Sequence, residues 1–138
     1  MEQIVPVRKG SVTYALFFRG RPAAPGGVRF LTEPFDEFQT GVMERPAGSR
    51  VKPHTHPRFD RTVKGMSEFL YVEKGSIRVT VFDEEWKALR EETLEPGDFL
   101  LFFRGGHGID VLTDCRMIEV KQGPFVGDAT VKFFPPES

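Results

Sequence analysis

Ser76-Ile77-Arg78-Val79-Thr80-Val81 is the stretch that decides the fold. Ile77, Val79 and Val81 alternate with Ser76, Arg78 and Thr80, so one face is apolar and the other polar. A period of two marks a half-buried β-strand. Val12, Tyr14, Leu16 and Phe18 make a similar stripe, as do Phe38, Thr40 and Val42. Phe99-Leu100-Leu101-Phe102-Phe103 has no polar face and reads as a strand buried on both sides. From residue 75 onward, turn signals such as Glu95-Pro96-Gly97-Asp98, Gly105-Gly106 and Gly123-Pro124 recur about every 9–12 residues, the spacing of an all-β sandwich or barrel. Asp83 to Glu92 is rich in helix formers. Strand-like segments flank it closely, so a hairpin tip followed by a strand is expected there. Residues 19–29 and 57–67 read as long loops. The tail, with Pro135 and Pro136, cannot extend a helix or a central strand.

The chain has 138 residues and no repeat or linker, so residues 1–138 are expected to form a single domain. Lys and Arg number 19 against 20 Asp and Glu, which argues against a dedicated nucleic-acid binder. No run approaches the ~18 apolar residues that span a bilayer. Met1 to Pro6 show no basic segment followed by an apolar one, so no leader is expected. Cys115 stands alone, and a reducing cytoplasm is therefore the expected compartment. The charge is unevenly spread. Residues 1–69 hold 11 basic and 7 acidic groups, and residues 70–138 hold 8 and 13.

Only three histidines occur, His54, His56 and His107. In a strand, residues i and i+2 point to one face, so His54 and His56 would project together. Glu68 opens a strand whose same-face residues, Leu70 and Val72, are apolar. A carboxylate on an apolar face is costly unless it is paired or bound to a metal. His107 in turn shares its face with Ile109 and Val111. Each of these four has a bland reading on its own: an exposed histidine pair, a wet strand-end glutamate, a hydrogen-bonded core histidine. Together, three imidazoles and one carboxylate make a shell for a divalent first-row metal, with Fe, Mn, Ni, Zn and Co not distinguished.

At these residues the sequence resembles the cupin family. Gly48 is followed by five residues and His54-Thr55-His56; Glu68 is followed by six residues and Gly75. Gly97-Asp98 leads to Phe103-Arg104-Gly105-Gly106-His107, the counterpart of the family's second motif. The chain departs from the pattern in two places. The eleven residues 57–67 lengthen the gap before Glu68, and Phe103 stands where the family has Pro, with one residue fewer before His107. The resemblance covers about residues 38–121. It implies an antiparallel β-barrel of the jelly-roll, double-stranded β-helix type, often a homodimer. It also implies that His54, His56, Glu68 and His107, from different strands, meet at one open end.

Arg50, Lys52, Arg58, Arg61 and Lys64 bracket the histidine pair against the single acid Asp60. Lys52 shares the expected strand face of His54 and His56. Arg58 or Arg61 could bind a carboxylate or phosphate if the 57–67 loop closes over the metal. The alternative is a solvated surface loop. For Met117 to Gln122, the Ile118/Val120 face is expected inward, with Gln122 near the rim as a donor beside the ligands. The basic cluster makes a small anionic or polyhydroxylated metabolite the expected partner. Met117 to Phe125 resembles the end of a subgroup of small cupins, some similar to proteins of sugar metabolism, and that resemblance favours carbohydrate-related compounds. Three functions compete. The first is a metal-dependent enzyme, working as a Lewis acid in isomerase or lyase chemistry or as an Fe(II) dioxygenase. The others are a non-catalytic metal and metabolite binder, and a metal-free scaffold. No catalytic residue is assigned, since neither Lys52, the arginines nor Gln122 suits proton transfer at neutral pH.

Overall fold

Ile77, Val79 and Val81 are fully buried, and their alternation becomes a strand. The computed structural model describes residues 1–128 and 132–136. It contains β1 (Gln3–Lys9), β2 (Val12–Arg19), β3 (Val28–Phe30), β4 (Gly41–Met43), β5 (Glu68–Lys74), β6 (Ile77–Phe82), β7 (Ala88–Leu94), β8 (Phe99–Phe102), β9 (Gly106–Val111) and β10 (Arg116–Lys121). Every pairing is antiparallel. The large sheet runs β1-β2-β8-β5-β10, a second runs β7-β6-β9, and β3 pairs with β4. No helix among the described residues is long and apolar enough to cross a membrane.

One core joins the two larger sheets. Val5, Val7, Ala15, Phe17, Leu70, Val72, Leu100 and Phe102 come from the five-stranded sheet; Ile77, Val79, Val81 and Leu94 come from the other. Register explains this membership. Side chains directly opposite in an antiparallel pair share a face. Phe17, Leu100 and Leu70 are aligned across β2, β8 and β5, and Ala15, Phe102 and Glu68 form the adjacent row. Glu68 is therefore set on the inner face at the end of a row of core residues.

The apolar run of β8 lies between β2 and β5, as its lack of a polar face predicts. Its other side is covered too: Phe18 and Leu101 are fully buried, and Phe18 and Phe69 pack on Phe99 with ring centroids 4.9 and 5.6 Å away. Phe38, Thr40 and Gly41 border that outer face beside Phe69 and Val120. Asp83 to Lys87 is a hairpin tip and β7 follows, as expected.

Several expectations need correction. In β2 both faces are buried, Ala15 and Phe17 as well as Tyr14 and Phe18, so there is no single apolar stripe. Of Phe38, Thr40 and Val42, only Val42 lies in a strand. Met117, rather than Ile118 or Val120, packs on the core, while Ile118 and Val120 are exposed. The cause is register: Met117, Glu119 and Lys121 stand opposite Val72, Leu70 and Glu68, and so share their inner face.

Candidate functional site

Two strands from different sheets bring Glu68 and His107 together. Glu68 is the first residue of β5. His107 lies opposite Val81 of β6, on the face that points into the core. His107 Nε2 is 3.1 Å from Glu68 Oε2. The imidazole also stacks on Phe102, with centroids 3.9 Å apart and planes 17° from parallel. The hydrogen bond with His107 holds the Glu68 carboxyl below its ordinary value, burial opposes that shift, and the charges of His107, Lys121 and Lys132 add to it. Lys121 faces Glu68 across the β5–β10 ladder and pairs with Glu119 at 3.3 Å. That hydrogen bond to Glu119 raises the lysine's pKa.

The pair opens on a cavity of about 640 Å³. Met66, Trp86, Phe102 and Ile109 supply apolar walls, with Phe133, Phe134 and Pro135 of the C-terminal tail at its border. Asp83, Glu84, Arg104 and Lys132 supply charge. A concave, largely apolar space with a few convergent polar groups is the usual form of a small-molecule site.

The hairpin tip beside the cavity is firmly built. The Asp83 carboxylate accepts from the backbone N–H groups of Glu85 and Lys87, both at 2.9 Å, and from Lys9 Nζ at 3.1 Å. The Lys87 backbone bond is the main cause of its lowered pKa. Tyr14 Oη donates to Glu84 Oε2 at 2.5 Å, which lowers the glutamate's pKa and raises the tyrosine's.

His54 and His56 are placed differently. Residues 44–67 contain no strand, so the parity expected to align the two imidazoles does not operate. The rings nevertheless sit 5.1 Å apart, edge to face, and both residues are exposed. His54 Nδ1 lies 2.7 Å from the Lys52 carbonyl oxygen. A carbonyl can only accept, so this nitrogen carries a proton; in the neutral ring the lone pair is then on Nε2, a form that binds a metal. Lys52 itself is exposed and acts here through its backbone. Arg61 lies over the Phe59 ring at 3.7 Å, and Arg58 is exposed. Gln122 accepts from the backbone N–H of Ser67 at 2.7 Å and so ties the end of β10 to the residue before Glu68. Its Nε2 is buried without a hydrogen-bond partner among the described residues.

The four expected ligands thus form two pairs. Among the described residues, no group of three or more His, Cys, Asp or Glu side chains is gathered closely enough to hold a metal. The Glu68–His107 half suits one. Two donors about 2.1 Å from a first-row ion, at right angles, lie about 3 Å apart, close to the separation seen here. The other half is tethered to Glu68 by residues 57–67, and an extended chain of that length spans roughly 35–40 Å.

Trp86, Glu84, Arg104 and the tail were not marked as site residues by sequence reasoning. Trp86 offered a signal, because a hairpin tip is an unusual place for the chain's one tryptophan. Arg104 and the tail offered none, since their proximity to the cavity depends on pairings far away in sequence. No protein family, no curated protein and no solved structure matches this chain.

Proposed function

We propose that this chain is a cupin-type barrel that binds a small anionic or polyhydroxylated metabolite in the cavity between its two larger sheets. In this reading, His54, His56, Glu68 and His107 hold one divalent first-row metal at the cavity. The observation that carries it is the meeting of Glu68 and His107, residues of different sheets, at 3.1 Å beside a cavity of about 640 Å³. A bound metal would polarise a carbonyl or hydroxyl of the ligand. The protein's own groups do the rest. Phe102 holds the His107 ring flat, Gln122 fixes the backbone before Glu68, and Arg58 and Arg61 meet anionic groups of the ligand when segment 44–67 closes on the cavity.

Elemental analysis of the purified chain tests the reading. About one equivalent of metal is expected, falling sharply in Glu68→Gln and in His107→Ala. A parent protein that neither carries nor takes up a divalent metal would overturn it. The separation of His54 and His56 from Glu68 and His107 favours a second reading, a metal-free binding barrel. Ligand binding unchanged after complete chelation would select that one.

A further inference from the structure

Trp86 has φ 63°. Bulky residues avoid this left-handed region because Cβ crowds the backbone, and turns that need it normally use Gly, Asn or Asp. Strain kept by a well-braced segment is a pointer to function. The bracing is visible: Lys9 holds Asp83, Tyr14 holds Glu84, and Asp83 holds two backbone amides of the tip. A neighbouring residue makes room for the ring. A Cβ on Gly106 would lie 2.6 Å from Trp86 Cζ3, so a larger residue there would displace the indole. The indole borders the same cavity as Glu68 and His107.

We propose that Trp86 is the platform on which the ring of an anionic, polyhydroxylated ligand, a sugar acid or a sugar phosphate, lies within this cavity. The chemistry of the walls favours that class. An indole face takes the C–H side of a saturated ring as well as an aromatic one. The carboxylates of Glu84 and Glu68 accept from hydroxyl groups. Arg104 lines the same wall, forms no ion pair among the described residues, and supplies a fork for a carboxylate or phosphate. An aromatic acid without hydroxyl groups, such as benzoate, would leave these acceptors unused. The inference rests on the cavity being the ligand site and does not need the metal.

Because Trp86 is the chain's only tryptophan, its emission reports on this position alone. The full chain is titrated with glucuronate, glucose 6-phosphate, benzoate and inorganic phosphate, before and after chelation. Saturable change in emission with glucuronate or glucose 6-phosphate is expected, and which of the two acts tells carboxylate from phosphate. Benzoate and inorganic phosphate should leave the emission unchanged. By calorimetry, Trp86→Ala should bind the active sugar about tenfold more weakly, the factor expected for a lost stacking contact. Trp86→Phe, which keeps a ring, should lose less, and it decides the matter if the alanine variant does not fold. No change with either sugar, a change with benzoate alone, or unaltered affinity in the variants overturns the platform. A chain that carries metal yet shows no emission change overturns the platform alone. A chain that binds the sugar on Trp86 but never takes up metal overturns the metal reading alone.

Discussion

Glu68 and His107 lie 39 positions apart in the chain and touch, while His54 and His56 lie two apart and stay outside that contact. The first pair is placed by ladders. β5 is fixed to β8, β9 to β6, and the buried residues between the sheets hold both. The second pair is placed only by its own stretch of chain. Residues 44–67 form no ladder and bury little: Val51, Phe59 and Val63 are all exposed. In one region a side chain's position is the product of many distant pairings; in the other it can change without breaking any of them.

The largest expected effect breaks the ladder side. Phe102 is buried beneath His107, and Phe102→Ala should cost about 3–5 kcal/mol in chemical denaturation. Val51→Ala, in the other region, should stay within about 0.5 kcal/mol. Equal costs would mean that segment 44–67 is packed after all.

Proteolysis is the next test. Trypsin should cut first between Arg50 and Lys64, in the segment without ladders, and leave the strands intact longer. Adding a divalent metal should slow those cuts if His54 and His56 join Glu68 and His107. Cutting that metal leaves unaffected would keep the two pairs apart.

A smaller effect concerns acid. The Asp83 carboxyl is held below its ordinary value of 3.8, chiefly by the Lys87 backbone N–H. A group whose folded pKa is depressed stabilises above its unfolded pKa, and that contribution is lost as pH falls through the folded value. Melting temperature should therefore fall on the acid side of pH 4 in the parent, and fall less steeply in Asp83→Asn. His54→Ala with His56→Ala should leave that acid limb untouched, because neither imidazole contacts the tip. The smallest effect on stability is that of Arg61→Ala in the unliganded chain, where it removes an exposed contact with Phe59 and should shift stability by no more than about 0.5 kcal/mol.

The same contrast explains what the sequence could tell. Ile77, Val79 and Val81 announce their inner face because one sheet face is dry and the other wet, and the period of two records that difference. β10 misleads for the opposite reason. At the cavity end the inner face is the polar one, so Lys121 points in toward Glu68, while Ile118 and Val120 face outward on an edge strand. Glu68 and His107 were legible as candidates, since each interrupts an apolar face. Their contact was not legible, because it depends on the registers of β5 with β8 and of β6 with β9 together. The histidine pair shows a further limit: spacing of two has meaning only after a strand exists to give it direction.

The position of β8 also sets the order in which the molecule can be made. Its partner β2 lies more than 80 residues earlier, with Phe17 paired to Leu100. During synthesis, the β2–β8 ladder cannot form until residues 99–102 have emerged. Pairings this distant in sequence make folding slow and leave strand edges bare in the meantime. Until β8 pairs, Phe17 lacks its partner Leu100 and Phe18 lacks the Phe99 ring that stacks on it.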